Sequence, residues 1–267
     1  MSAIGFFDSG LGGLSVLRHA LTRLPQADFL YVADSAHAPY GDKEHSWVSD
    51  RSLFIARWLQ CQGAEALVIA CNTATALAAE RIREQLAIPV IAMEPAVKPA
   101  AAGSESGRVA VLATATTLAS RRYADLRERH AGGIELYEVA PHHWIEAIES
   151  GRHLQPGFLD QIAEDLAPLR DQGVDTWVLA CTHFPIVIDQ IRSVLGETAR
   201  VIDPGAAVSE ELARRLGCPP QAGTAADDRG KLSLFSSGNP AVLAEFASAY
   251  LAWGKLSAES FRESATA

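Results

Sequence analysis

The sequence predicts an α/β protein made of two similar lobes with mainly parallel sheets, related by pseudo-twofold symmetry. Short runs rich in Val, Ile and Leu alternate with longer stretches of helical periodicity, which is typical of parallel strands joined by crossover helices. The second observation is an internal repeat, because GAEALVIAC at 63–71 aligns without a gap with GVDTWVLAC at 173–181. Each copy continues through a helical stretch to another apolar run, which ends in MEPAV or IDPGA. A duplicated α/β unit explains both observations.

The predicted strands are distributed along most of the chain. They are the apolar runs at 4–7, 29–33, 66–70, 90–93, 109–113, 135–139, 176–180, 200–202 and 232–235. Helical periodicity fills most of the intervals, for example at 76–86 and 159–169. The run at 109–113 is the counterpart of the first run, at 4–7, so the second copy begins there.

The lobe boundaries follow from the composition of the connecting segments. A stretch rich in Pro, Ala, Gly and Ser begins at residue 98 and precedes the first strand of the second copy. We therefore expect residues 98–205 to form the second lobe, and residues 1–97 with 206–267 to form the first. The polar tail after Gly254 has no long apolar face, so we expect no ordered element there.

Composition argues against several classes of function. The chain has 267 residues, 48% of them hydrophobic and 21% charged, which is ordinary for a globular enzyme. A net charge of -9 and the lack of long basic clusters argue against a nucleic-acid partner. No apolar run approaches the roughly 20 residues of a membrane span, and no basic segment precedes the first strand. We expect a cytoplasmic protein without membrane contact.

The cysteine pattern predicts reduced thiols. The sequence has 4 cysteines and no Cys/His spacing typical of zinc sites, so neither a disulfide framework nor a metal is expected. Cys61 and Cys218 have no polar motif around them and are interpreted as structural. Cys71 and Cys181 differ, because each ends an apolar run and precedes small polar residues.

Polar residues cluster where the predicted strands end. They are Asp8-Ser9, Asp34, Cys71-Asn72-Thr73, Thr114 and Cys181-Thr182-His183. Ligands of parallel α/β sheets bind outside the carboxyl ends of the strands. If the lobes face each other about the pseudo-twofold axis, Cys71 and Cys181 lie on opposite walls of one cleft, which would be the active site.

Two thiols on opposite faces of a ligand are suited to inversion at carbon. A thiol near a helix N-terminus has a pKa below the usual value of roughly 8.5, because the exposed N–H groups favour the thiolate. One thiolate can remove a proton from carbon while the opposing thiol delivers a proton to the other face. His183, beside Cys181, is expected to assist this proton movement.

Other interpretations of the same residues remain open. DSGLGG after the first strand is similar to a dinucleotide loop, with Asp34 at a plausible distance for a ribose contact, but Ser15 replaces the third glycine. A dithiol redox protein and a ligand-binding module without catalysis are also possible. Glu149, in WIEAIESG, fits either an assisting carboxylate or a solvated helix end. No lysine lies where pyridoxal phosphate would need one.

Six motifs together give the chain a family resemblance. In order along residues 4–253 they are FDSGLGGLSVL, YVADSAHAPYGDK, VIACNTATA, VLATATTLASRRY, VLACTHFPIV and VIDPGAAV. With them the chain resembles the glutamate racemases of the cofactor-independent aspartate/glutamate racemase superfamily. The resemblance implies interconversion of L- and D-glutamate without a cofactor, a supply of D-glutamate for peptidoglycan, and a possible homodimer.

The resemblance also assigns roles to single residues. Cys71 and Cys181 match the two catalytic acid/bases, and Asp8, His183 and Glu149 match the groups that assist them. The implied substrate contacts are Asp8, Ser9, Tyr40, Gly41, Asn72, Thr73, Thr114, Thr117, Thr182 and His183. The length of the substrate pocket is not readable from the sequence, so a racemase acting on aspartate remains the alternative.

Overall fold

A computed structural model describes residues 3–218 and 229–262 of the chain. The chain divides into two compact units, Met1–Met93 with Gly205–Ala267 as unit 1 and Glu94–Pro204 as unit 2. Each unit is an α/β structure with a parallel sheet, which confirms the predicted fold class. Within the described residues, no helix combines the length and the apolar character that a membrane span needs.

Unit 1 has a six-stranded parallel sheet in the order β10-β9-β2-β1-β3-β4. Its strands are β1 (Ala3–Asp8), β2 (Asp28–Ala33), β3 (Ala64–Ile69), β4 (Val90–Ala92), β9 (Leu232–Ser236) and β10 (Ala258–Ser260). Its helices are α1 (Leu14–Arg23), α2 (His45–Cys61), α3 (Asn72–Gln85), α10 (Gly205–Arg215) and α11 (Pro240–Tyr250). Successive side chains of a strand point to opposite faces, so Phe6 and Phe7 enter different cores. Helices cover both faces, which is why the strands read as continuous apolar runs.

Unit 2 has a four-stranded parallel sheet in the order β6-β5-β7-β8. Its strands are β5 (Arg108–Leu112), β6 (Glu135–Val139), β7 (Thr176–Leu179) and β8 (Arg200–Ile202). Its helices are α4 (Val97–Gly103), α5 (Ala115–Leu118), α6 (Arg121–His130), α7 (His142–Glu149), α8 (Phe158–Asp171) and α9 (Ile188–Leu195). This strand order matches β2-β1-β3-β4 of unit 1, as expected from a duplication. Cys71 and Cys181 therefore follow equivalent strands, β3 and β7.

The predicted strands are all present, with ends shifted by up to two residues. The expectation that nothing after Gly254 is ordered was wrong. Residues Ala258–Ser260 form β10, which pairs in parallel with β9, and Phe261 beyond it is 4% exposed. The Phe261 ring packs edge-on against Trp58, with centroids 5.0 Å apart. One buried aromatic ring together with backbone pairing orders this segment, although it lacks the apolar face that the prediction required.

The Asp175 carboxylate joins the amino end of β7 to the turn before β5. The Asp175 carboxylate accepts hydrogen bonds from the Ser104 hydroxyl at 2.7 Å, the Glu105 N–H at 2.8 Å and the Ser106 N–H at 2.7 Å. Burial alone would raise the pKa of Asp175, but these hydrogen bonds and one from Thr176 lower it to about 2. The turn that leads into β5 is thus attached to the start of β7.

A cavity of about 460 Å³ opens at the same edge of unit 2, lined by Arg170, Asp175 and Arg200 among others. Its two arginines donate to carbonyl groups at helix ends, Arg170 to Val194 at 3.0 Å and Arg200 to Gly103 at 3.4 Å. Such contacts satisfy carbonyl groups that have no partner inside the helix. The cavity lies at the amino ends of the strands, away from the carboxyl ends where the candidate site residues lie.

Replacing Asp175 by Asn should make the protein less stable, and the loss should depend on pH. The folded-state pKa lies below the unfolded one, so the stabilisation is present above about pH 4 and is lost as the pH falls towards about 2. We expect D175N to melt below wild type at pH 7 by a few degrees, corresponding to about 1–2 kcal/mol. Melting temperatures from pH 7 to pH 3 check this, with D125N, an exposed carboxylate of unit 2, as control. An equal deficit at every pH would contradict it.

Candidate active site

Cys71 lies at the junction between β3 and α3 and is the N-cap residue of that helix. Its sulfur accepts a hydrogen bond from the Ala74 N–H at 3.4 Å, and its thiol donates to the Ser9 hydroxyl at 3.9 Å. The side chain is 5% exposed. Because the free N–H groups of a helix N-terminus stabilise negative charge, this position favours the thiolate of Cys71.

The glycine-rich loop after β1 wraps around the carboxylate of Asp8. This side chain is fully buried, and its Oδ2 accepts from the N–H groups of Gly10 at 3.2 Å and Gly13 at 3.0 Å. A Cβ atom at position 13 would lie 2.6 Å from the Cβ of Asp8, so the loop passes too close for any larger residue. In a dinucleotide loop, backbone N–H groups bind the pyrophosphate, but here two of them bind Asp8. The loop therefore supports the carboxylate, which argues against the nucleotide interpretation.

Asn72 and Thr73 begin α3 and are both buried. Among the described residues, neither the Oδ1 nor the Nδ2 of Asn72 has a hydrogen-bond partner. A buried amide without hydrogen-bond partners costs free energy. The unpaired Oδ1 and Nδ2 atoms of Asn72, beside a thiol, therefore indicate a ligand that would form the missing hydrogen bonds. Asn72 offers that ligand one donor group and one acceptor next to Cys71.

Tyr40 and Gly41 lie in a short 3-10 turn, Tyr40–Asp42, that follows β2. The Tyr40 hydroxyl donates to Asp34 at 2.7 Å, and burial together with this carboxylate raises the pKa of Tyr40 well above its ordinary value. Burial would raise the pKa of Asp34, but hydrogen bonds from Arg51 and Tyr40 outweigh it and lower that pKa. Asp34 is fully buried and bound by these two groups, so it is not placed for the ribose contact that the sequence suggested.

Cys181, His183 and Glu149 form a line of contacts in unit 2. The sulfur of Cys181 lies 3.7 Å from Nδ1 of His183, and Nε2 of that histidine lies 2.6 Å from Oε1 of Glu149. Burial alone would lower the pKa of His183, but the contacts with Cys181 and Glu149 raise it well above its ordinary value. In its protonated form the histidine can stabilise a Cys181 thiolate or supply a proton to it.

Cys181, unlike Cys71, is not the N-cap residue of an α-helix. A 3-10 turn, Phe184–Val187, follows it, and the α-helix begins only at Ile188. Pro185 has no N–H group to offer in this turn. The imidazole of His183 therefore takes the place beside Cys181 that helix N–H groups take beside Cys71.

The remaining candidates also follow the carboxyl ends of strands. Thr114 caps α5 after β5, since its Oγ1 accepts from the Thr117 N–H at 3.2 Å, while its hydroxyl donates to the hydroxyl of Thr117 at 2.9 Å. Thr182 is buried between Cys181 and His183. Within each unit, the candidates share the edge at which parallel sheets bind ligands. The described residues contain no group of three or more Cys, His, Asp or Glu side chains that could hold a metal ion.

Sequence reasoning missed Arg51. This residue of α2 is 7% exposed and donates to both oxygens of Asp34, from Nε at 2.8 Å and from Nη2 at 2.6 Å. A charged residue in a helix normally faces solvent. Arg51 is buried because it pairs with Asp34, which lies 17 positions away in the chain. The flanking apolar residues of α2 were the available signal, because they put position 51 on the buried face.

Comparison with known proteins connects this geometry to racemases. Residues 14–212 match the family profile described as Asp/Glu/Hydantoin racemase. Over 216 residues, 80% of this chain and 82% of the relative, the sequence is 47% identical to a glutamate racemase of Pseudomonas aeruginosa PAO1. The fold matches a glutamate racemase isoform from Bacillus anthracis with a TM-score of 0.85 at 26% identity, covering 98% of both chains. It matches Escherichia coli glutamate racemase in complex with L-glutamate and the activator UDP-MurNAc-ala with a TM-score of 0.83 at 29% identity, covering 97% and 98%.

Replacing Glu149 by Gln should lower the pKa of His183, because the imidazolium loses an adjacent negative charge. The stabilisation that Glu149 gives is full below the unfolded-state pKa of roughly 6.5 and is lost as the pH rises through the raised folded-state value. An NMR titration of labelled histidine, with the signal assigned through H183N, measures both values. E146Q, an exposed glutamate of the same helix, is the control. A His183 signal that titrates at the same pH in wild type and E149Q would refute the assignment.

Proposed function

The chain belongs to the Asp/Glu/hydantoin racemase family, and from this premise we propose that it is a glutamate racemase, an isomerase that interconverts L- and D-glutamate. The observation that carries the proposal is a buried thiol directly after the equivalent strand of each unit, with a different polar partner at each. The relatives supply the choice of substrate, since the Escherichia coli protein was crystallised with L-glutamate.

In the proposed mechanism Cys71 and Cys181 act as a pair of acid/base groups. The thiolate of one removes the proton from Cα of glutamate, and the thiol of the other protonates the opposite face, which inverts the centre. In the reverse reaction the roles exchange. The mechanism requires the two thiols to reach opposite faces of the same Cα atom. It needs no added cofactor, because protons are the only groups transferred.

The two thiols would be prepared by different means. The N-terminus of α3 stabilises charge on Cys71, and the Ser9 hydroxyl, which accepts from the neutral thiol, can rotate to donate to the thiolate. Asp8, which precedes Ser9, is held by the glycine-rich loop. The His183 imidazolium, itself bound by Glu149, stabilises charge on Cys181. Electrostatic stabilisation of this kind lowers the cost of forming a thiolate and of holding negative charge on the substrate.

Substrate binding would rest mainly on amide and hydroxyl groups. The unpartnered amide of Asn72 can donate to a carboxylate oxygen and accept from the ammonium group of glutamate. The other proposed contacts are Asp8, Ser9, Tyr40, Gly41, Thr73, Thr114, Thr117, Thr182 and His183. None is an arginine or a lysine, so backbone N–H groups at helix starts would bind the substrate carboxylates.

The wider role follows from the proposed activity. D-glutamate produced by the enzyme would be supplied to peptidoglycan synthesis in the cytoplasm. We also propose that the protein can form a homodimer, as the family resemblance implies.

Substrate choice is tested by incubating the purified protein with L-glutamate or L-aspartate, without added cofactor, and following the enantiomers by chiral chromatography. We expect conversion of glutamate to a racemic mixture, and little conversion of aspartate. Turnover of aspartate alone would overturn the glutamate assignment and favour the aspartate alternative. Turnover of neither would favour a binding module or a redox protein.

The two-base mechanism predicts that C71A and C181A each lower kcat by at least about 10² to 10⁴-fold, because either change removes one of the two proton-transfer groups. C61A, at an exposed cysteine, is the matched control and should retain activity. In heavy water, early product should carry solvent deuterium while the remaining substrate does not. Equal early labelling of substrate and product would instead indicate one base that serves both faces.

A further inference from the structure

A buried ion pair lies at the carboxyl end of β2, between Arg51 of α2 and Asp34. Asp34 is fully buried and Arg51 is 7% exposed, and the guanidinium binds both carboxylate oxygens. Removing two charges from water is expensive, and such pairs often contribute little to net stability. This pair also has the planar geometry with two hydrogen bonds that only arginine provides. Because such a pair often contributes little to stability, its geometry indicates a role other than stabilising the fold.

The carboxylate of Asp34 binds more than Arg51. Its Oδ2 accepts from the Tyr40 hydroxyl at 2.7 Å, and its Oδ1 lies 3.1 Å from Nδ1 of His37. Trp47 packs against both of these rings, with centroids 5.2 Å from His37 and 5.9 Å from Tyr40. The ion pair therefore fixes two side chains of the segment 35–43, which we call the 35–43 loop.

The guanidinium of Arg51 packs against a pair of aromatic rings, Phe54 and Phe261, whose centroids lie 6.0 Å apart. Its Cζ atom is 5.5 Å from the ring centre of Phe54 and 5.4 Å from that of Phe261. Phe261 is positioned by its N–H, which donates to the Ser236 carbonyl at 2.7 Å, and by its contact with Trp58. Cation–π contact of this kind orients the flat guanidinium and excludes water from it.

The 35–43 loop reaches the proposed catalytic centre of unit 1. Tyr40 belongs to the same buried cluster as Cys71, and the turn Tyr40–Asp42 contacts α3, the helix that Cys71 caps. A displacement of Tyr40 would therefore change the wall of the site beside Cys71.

We propose that Arg51 is a positioning residue for substrate binding: through Asp34 it fixes Tyr40 and the 35–43 loop beside Cys71, and Phe261 from the C-terminal strand segment holds Arg51 in place. The expected effect on KM rests on the proposed racemase function, whereas the expected effect on the 35–43 loop rests only on contacts within unit 1. Arg51 does not contact the substrate itself. Its effect passes through the hydrogen bond between Asp34 and Tyr40.

The test compares R51M with R57M, which removes an exposed arginine of the same helix. We expect R51M to raise KM for glutamate by about tenfold to a hundredfold with a smaller change in kcat, because the contact with the loop persists from the bound substrate to the transition state. Amide hydrogen exchange in the 35–43 loop should become about tenfold faster in R51M, but not in R57M. Unchanged loop exchange with unchanged KM in R51M would overturn the proposal.

A second variant separates positioning from mere stability. R51M leaves the Asp34 charge buried without its partner, whereas D34N/R51M removes both charges and should fold even if R51M does not. We expect D34N/R51M to recover the melting temperature but to keep the raised KM and the fast loop exchange. Recovery of KM together with melting temperature would show that Arg51 only stabilises the fold and would overturn the proposal.

The C-terminal contact is tested by F261A and F261L. We expect F261A to have faster amide exchange in the 35–43 loop and a higher KM than wild type. F261L keeps an apolar side chain against Arg51, so its exchange rate and KM should lie between those of F261A and wild type. Identical values in F261A and wild type would show that Phe261 has no part in positioning Arg51. Loop exchange can be measured whether or not the protein is active. Absence of glutamate turnover in wild type would therefore refute the proposed function alone, and the exchange rates would still decide the role of Arg51.

Discussion

Negative charge is buried repeatedly at the carboxyl ends of these strands, and each buried anion needs its own set of donors. An ionised group without hydrogen-bond donors would be too costly in such a place. Asp8 receives two backbone N–H groups, and Asp34 receives a guanidinium and a phenol. Glu149, half-buried at the end of α7, contacts an imidazole. The loops after the strands are shaped by these requirements. Gly13 of the first loop, for example, passes so close to Asp8 that a Cβ atom there would lie 2.6 Å from the Asp8 Cβ.

The two units share one strand order but differ in how they treat the cysteine. In unit 1 the thiol meets the start of a regular helix, and in unit 2 a 3-10 turn intervenes and a histidine serves the thiol. The backbone N–H groups beside Cys71 do not titrate, whereas the imidazole beside Cys181 is a titratable group. The surroundings of the two thiols therefore respond differently to pH, although the underlying folds are alike.

Much of the fold could be predicted because the strands are buried on both faces, so that each reads as a short apolar run bounded by polar residues. The duplication was visible because the two cysteine strands align without a gap. The interactions that arrange the site were less accessible. The carboxylate of Asp34 and the guanidinium of Arg51 meet only after α2 has packed on the sheet, and no local pattern specifies that meeting. Phe261 was overlooked for the same reason, since the residues that its ring packs against, Trp58 and Arg51, are both distant in the chain.

Unit 1 is assembled from two separate stretches of chain, with the whole of unit 2 between them in the sequence. Strand β9 pairs with β2, and β10 pairs with β9, so both are added after every strand of unit 2 has been synthesised. Until then β2 is an open edge of the sheet, and the guanidinium of Arg51 has the ring of Phe54 but not that of Phe261 beside it. On the ribosome, a segment that emerges after all of unit 2 thus completes the surroundings of a loop that was synthesised before unit 2.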